Sequence, residues 1–171
     1  MMILCLTGTN PYSFERLVSY VDQVLGTQYN VVIQLGNTKY KPRYAECFDF
    51  CERAKVIEFI DKADLIITQG GYGSMTDVLT RGKKLIAVPR LTVLNESQDD
   101  QKELVDYYAS KNFLVSCYEI EKLDGLVSQL NKNQIILEPF KPESNKKVKD
   151  LIEDFLNKAN AQSFSLRKGF Q

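Results

Sequence analysis

The chain has 171 residues, with 22 basic and 22 acidic side chains and a hydrophobic fraction of 44%. That suits one soluble globular domain, and the balanced charge gives no electrostatic case for nucleic acid or an anionic membrane as main partner. There is no histidine, which removes Ser-His-Asp and Cys-His nucleophile systems, His-ligated zinc and His general bases from this chain's own chemistry.

No run of about 18 apolar residues occurs, so no membrane-spanning helix is expected. The apolar start, residues 2–6, is too short for a signal peptide and has no basic segment before it, so residues 3–6 read as a buried strand. Residues 14–25 place Leu17, Val18, Val21 and Leu25 on one helical face, ended by Gly26. Residues 31–34 are a second strand. Residues 37–46 are polar, hold Pro42 and read as a loop. A short strand is expected over 48–50 and a helix over 52–62. Residues 64–68 read as a strand, Gly70, Gly71 and Gly73 as a turn, and 74–81 as a helix. A strand over 85–88 stops at Pro89. A helix over 99–111, a short strand over 114–116 and a helix over 120–131 follow. Beyond Pro139 and Pro142 comes an amphipathic helix, 145–160, with Val148, Leu151, Ile152, Phe155 and Leu156 as its apolar stripe. A polar tail, 161–171, carries Phe164, Leu166 and Phe170. The four cysteines, Cys5, Cys47, Cys51 and Cys117, form no CxxC pair and read as reduced, buried thiols of a cytosolic protein.

Alternating strands and helices imply a doubly wound, mainly parallel α/β sheet of Rossmann-like type, one domain over 1–160. Such sheets bind ligands at the carboxyl ends of their strands. The most informative segment is 64–77, in which a buried strand runs into three glycines and then a helix. Glycines let a backbone approach a ligand, and a helix start offers free N–H groups, here expected at Ser74, Met75 and Thr76, to a diphosphate. Asp77 follows one turn later, where a carboxylate can accept two hydrogen bonds from a ribose diol. The alternative is a plain turn with Ser74 as N-cap and Asp77 completing a capping box. The first strand ends in Thr7, Gly8 and Thr9, a second candidate phosphate cradle. Residues 95–101, rich in Asn, Glu, Gln and Asp, read either as a sugar-contacting loop or as a solvated loop capping the next helix.

Residues 68–74 (TQGGYGS), residues 82–90 (GKKLIAVPR), the acidic stretch 96–101 and the opening Thr7-Gly8-Thr9 with Phe14 resemble the C-terminal domain of glycosyltransferase family 28. The resemblance runs over about residues 2–130, and the order of the motifs is more specific than any one of them. It implies the donor-binding half of a GT-B fold. The family includes MurG and PssE-like subunits, and the length agrees best with the split, PssE-like members, which lack the acceptor-binding half. By resemblance, Gly70, Gly71, Gly73, Ser74 and Met75, with Thr7, Gly8 and Thr9, hold the diphosphate. Phe50, Cys51 and Asp77 hold uridine. Gln69, Glu96, Gln98, Asp99, Asp100 and Gln101 contact the sugar. Gln69 stands where the family usually has His, and the sugar loop lacks the His that precedes the position of Gln101. Glutamine can hydrogen-bond a phosphate but cannot become cationic.

The implied function is the soluble subunit of an inverting, UDP-sugar-dependent hexosyltransferase of polysaccharide biosynthesis. It would act on a lipid-linked acceptor and be recruited from the cytoplasm by a membrane-anchored partner, without which it is inactive. No metal or other cofactor is expected. The general base is either Glu96 or a residue of the partner. Two other readings stand beside this one. A non-catalytic nucleotide-binding subunit is suggested by the missing histidines. A nucleotide phosphoribohydrolase is suggested by the glycine turn, but Gln69 and Asp77 replace the proline and glutamate of that family's motif.

Overall fold

Runs of apolar, often β-branched residues form the strands of the computed structural model, which describes residues 1–141. These are β1 (Met2–Leu6), β2 (Asn30–Gln34), β3 (Glu46–Phe48), β4 (Leu65–Gln69), β5 (Lys84–Val88) and β6 (Val115–Ser116). All pair in parallel in the order β3-β2-β1-β4-β5-β6. The helices are α1 (Glu15–Tyr20), α2 (Arg53–Lys62), α3 (Tyr72–Leu79), α4 (Lys102–Ser110) and α5 (Leu123–Asn131). Helix α1 continues through a wider π-helical turn, Val21–Leu25, which Gly26 closes by donating to the carbonyl of Val21 at 2.8 Å.

The period-two alternation of the strands sorts the core into two layers. Ile3, Cys5, Ile33, Ile67 and Ile86 face one side, where Leu17, Val21 and Leu25 of the first helix and Leu123, Val127 and Leu130 of α5 cover them. Leu4, Leu6, Ile66, Leu85 and Ala87 face the other, against Ile60 of α2, Met75 and Val78 of α3 and Val105 of α4. Each fully buried aliphatic side chain contributes roughly 1.5–3 kcal/mol, so the doubly covered sheet is the main source of stability. Crossovers run to opposite sides from β1 and β4, leaving a crevice between their carboxyl ends.

Several boundaries shift from the sequence reading. Strand β3 lies two residues ahead of the expected 48–50, because its register against β2 pairs Val32 with Glu46 and Gln34 with Phe48. Phe50 and Cys51 therefore fall just beyond the strand, at the rim of the sheet. Helix α3 starts at Tyr72, not Ser74, since Gly71 takes the extended N-cap conformation. Helix α4 starts at Lys102, not residue 99, because the Asp100 carboxylate accepts the Thr92 N–H at 2.7 Å and keeps 99–101 in the loop.

The cysteines divide. Cys5 and Cys117 are buried, and desolvation pushes their thiols up to about 12 and about 11. Cys47 and Cys51 are exposed, contrary to expectation. No helix among the described residues is long and apolar enough to cross a membrane. The chain divides into a unit Met1–Phe140 and a unit Lys141–Gln171. The expected last helix and tail lie outside the described residues.

Candidate functional site

A cavity of about 390 Å³ opens at the carboxyl ends of β1 and β4. Its wall collects side chains and backbone from three separate segments: Gly8 and Thr9 after β1, Phe50 and Cys51 after β3, and the run from Gln69 at the end of β4 through Gly71 into α3, with Gly73, Ser74 and Asp77. Nine of the residues singled out from sequence thus share one cavity, together with Gln34 and Arg53, which were not anticipated. The volume suits a nucleotide-sized ligand.

At the α3 end, no side chain caps the helix, and Met75 donates its N–H to the Gly71 carbonyl at 3.1 Å. The backbone N–H groups left without helical acceptors are those of Tyr72, Gly73 and Ser74, two residues earlier than the sequence suggested. The Met75 N–H, expected to meet a phosphate, is therefore engaged within the helix, and its side chain is buried in the core. The capping-box alternative fails too, because Ser74 is the third helical residue and Asp77 lies one turn further on. The Asp77 carboxylate instead accepts a hydrogen bond from Arg53 at 2.6 Å.

At the β1 end, the expected cradle is largely occupied by the protein itself. Thr7 is buried and donates its hydroxyl to the Gln34 carbonyl at 3.0 Å, and the Gly8 N–H donates to the Gln34 side chain at 3.1 Å. Thr9 remains at the cavity wall. Gly8 has φ +72°, and a Cβ there would meet the Gln69 amide nitrogen at 2.0 Å. Only glycine lets the Gln69 side chain lie against this turn. Gly70 faces away from the cavity, since a Cβ on it would meet Val105 at 2.7 Å under α4.

The group that fixes this arrangement is Arg90, which the sequence reading passed over. Its side chain is fully buried directly after β5. Its Nε donates to the Gln69 amide oxygen at 2.5 Å, and Nη2 to the Thr7 carbonyl at 3.0 Å. Its Nη1 donates to the carbonyls of Tyr12, Ser13 and Glu96 at 3.0, 3.2 and 2.9 Å. The guanidinium lies over the buried Phe14 ring at 4.3 Å. Burial pulls its pKa down to about 10, opposed by Glu96, so it remains charged at neutral pH. A planar fork with five donors suits such a hub in a way lysine does not. The available signal was a lone arginine after a buried strand and proline.

Glu96 does not stand free for base chemistry or for a sugar. It is buried, both oxygens accept from Arg16 at 2.9 Å, and one also accepts the Leu91 N–H at 3.1 Å. Both oxygens are thus engaged within the protein, and in the structure Glu96 anchors the loop. Gln98 and Asp99 are exposed and line neither cavity at this end of the sheet. Gln101 accepts the Arg90 N–H at 3.1 Å. With Asp100, Gly70, Gly71, Tyr72, Glu103 and Tyr107 it lines an open neighbouring cavity of about 510 Å³ that meets the first at Gly71.

The Phe50 and Cys51 side of the first cavity depends on a separate anchor. Asp22, fully buried in the π-helical turn, accepts N–H groups of Arg43, Tyr44 and Ala45 and the Tyr40 hydroxyl, all between 2.9 and 3.1 Å. Burial alone would push its carboxyl up, but these donors outweigh it and hold the pKa below the ordinary value. This staples the loop before β3, and hence sets where Phe50 and Cys51 emerge.

Several known proteins are similar to this chain in sequence or fold. A Streptococcus gordonii protein, UDP-N-acetylglucosamine–N-acetylmuramyl-(pentapeptide) pyrophosphoryl-undecaprenol N-acetylglucosamine transferase, is 28% identical over 129 residues, 71% of this chain. The chain spans only 35% of that relative's length. Acinetobacter baumannii MurG shares the fold with a TM-score of 0.57 and 20% identity, over 78% of this chain and 42% of MurG. The solution structure of ALG13 shares it with a TM-score of 0.53 and 21% identity, over 88% of this chain and 93% of ALG13. The glycosyltransferase family 28 C-terminal domain matches residues 2–155, and the chain belongs to that family.

Proposed function

We propose that the cavity between β1 and β4 takes the uridine diphosphate part of a UDP-sugar, and that the chain is the donor-binding subunit of an inverting glycosyltransferase. The observation that carries this reading is the convergence on one cavity of the uncapped α3 N-terminus, a carboxylate one turn further along, and the exposed Phe50 with Cys51. The diphosphate lies at the N–H groups of Tyr72, Gly73 and Ser74, the ribose at Asp77, and the base against Phe50 and Cys51. The sugar extends past Gly71 into the neighbouring cavity, where Asp100 and Gln101 meet its hydroxyls. Family membership supports this, as does the UDP-N-acetylglucosamine chemistry in the name of the Streptococcus gordonii relative.

In the transfer step an acceptor hydroxyl attacks the anomeric carbon from the face opposite the diphosphate. The bond from that carbon to the phosphate oxygen breaks, UDP leaves, and the hydroxyl proton passes to a base. The first-turn N–H groups of α3 stabilise the charge growing on the leaving diphosphate without a metal ion. Among the described residues, the only carboxylate lining the cavity is Asp77, and Glu96 is engaged by Arg16. The base and the lipid-linked acceptor are therefore assigned to a membrane-anchored partner, which brings the chain to the membrane, and the chain alone transfers no sugar. The same observation favours, second, a nucleotide-binding subunit that performs no transfer.

Titration with UDP, ADP and GDP in the presence of a chelator tests the ligand. UDP should bind most tightly. Equal or tighter binding of ADP refutes the uridine assignment, and a strict metal requirement refutes the metal-free diphosphate site.

A further inference from the structure

The cavity wall carries one cation and one carboxylate, and they are paired with each other: Arg53 Nη2 donates to Asp77 Oδ1 at 2.6 Å. A nucleoside diphosphate would thus enter a cavity of zero net charge. Its phosphates would lie within about one helical turn of Asp77, a rise of about 5.4 Å, because Gly73 and Asp77 are successive on one face of α3.

Two features mark Arg53 as poised for another partner. The first is its position. It opens α2 at the positive end of the helix dipole, directly after the N-cap Glu52 and with no acidic residue within the first turn itself. A cation is disfavoured there and an incoming anion relieves it. The second is its freedom. The Arg53 side chain is 77% exposed while that of Asp77 is only 23% exposed. The guanidinium is therefore held at one point with most of its surface in water, a weakly held arrangement. An arginine side chain is long enough for rotation about its bonds to move the head by about 5.4 Å, the rise of one helical turn.

We infer that Arg53 exchanges partners when a nucleoside diphosphate binds, leaving Asp77 for the diphosphate and so freeing the Asp77 carboxylate for the ribose diol. The inference rests on the reading of the cavity as a nucleoside-diphosphate site. It makes Arg53 both the counter-ion of the phosphates and a latch over the ribose acceptor, so its removal acts in opposite directions on the two parts of the ligand.

The test compares UDP with uridine on the wild type, Arg53→Ala, Arg53→Lys and Asp77→Ala, by calorimetry for UDP and ligand-observed NMR for uridine. Arg53→Ala should weaken UDP by about 10- to 100-fold, the range of a lost charge-assisted contact, while uridine binds as well as before or better. Arg53→Lys should recover part of the UDP affinity, and Asp77→Ala should weaken both ligands. Equal weakening of UDP and uridine by Arg53→Ala would show a purely structural role and overturn the exchange. So would UDP binding that depends on Asp77 yet ignores Arg53, which leaves the cavity reading intact. Absence of UDP binding by the wild type overturns the cavity reading and this inference with it.

Discussion

Replacing Arg90 with methionine tests whether the site is held by a single buried hub. Methionine keeps much of the apolar stem but removes every donor. Five acceptors lose their partner: the carbonyls of Thr7, Tyr12, Ser13 and Glu96, and the Gln69 amide oxygen. At about 1 kcal/mol net for each bond the loss is about 5 kcal/mol. Relief from burying a charge returns about 1–2 kcal/mol of that, leaving about 3–4 kcal/mol. For a chain of this size each kcal/mol moves the melting temperature by roughly 2–4 °C, so a drop of roughly 10 °C is expected. Urea unfolding should show a lower midpoint at an unchanged slope, the sign of lost stability without a changed denatured state. UDP affinity should fall as well, because Gln69 and the Gly8 turn lose their tether. Arg90→Lys should be intermediate, since an ammonium cannot reach acceptors spread over the plane of a guanidinium. A loss below about 1 kcal/mol for Arg90→Met, with normal UDP binding, would refute the hub.

Three further outcomes are expected. Asp77→Ala should weaken UDP by roughly 1–3 kcal/mol and leave thermal unfolding nearly unchanged, because its partner Arg53 is largely exposed; early melting with normal UDP binding would assign Asp77 to the fold instead. Glu96→Gln should lower the unfolding free energy by about 1–3 kcal/mol through loss of the Arg16 fork and leave UDP affinity within about twofold. If that variant keeps its stability but loses transfer in an assay with an acceptor subunit, Glu96 is the base after all. Asp22 has a folded pKa below its unfolded one, so its stabilisation is present above the ordinary carboxylate value and is lost as pH falls through the lowered folded value. Asp22→Asn should be less stable at neutral pH by about 3 kcal/mol, and its deficit against wild type should shrink as the pH is taken below about 4. A deficit independent of pH would show that the carboxylate's charge is irrelevant.

The order of the elements and the α/β class were legible in the sequence, because period-two apolar runs and 3.6-residue faces are local consequences of burial on a covered sheet. The glycine turn after β4 and Asp77 were legible for the same kind of reason, a local pattern richer than a turn requires. Boundaries were less so: β3 moved by two residues because pairing with β2 sets its register, and α3 began at Tyr72 because the backbone conformation of Gly71 sets the cap. Roles decided by partners distant in sequence were not legible at all. Glu96 looks like any loop acid until Arg16, 80 residues away, takes both its oxygens. Arg53 and Asp77 meet only because β1 stands between β2 and β4 and turns α2 and α3 toward one crevice. Arg90 is an unremarkable cation in the sequence, and only the closed sheet gathers carbonyls from three loops around it. A side chain's periodicity depends on its neighbours along the chain, whereas its availability to a ligand depends on which polar groups folding has already brought within hydrogen-bonding distance.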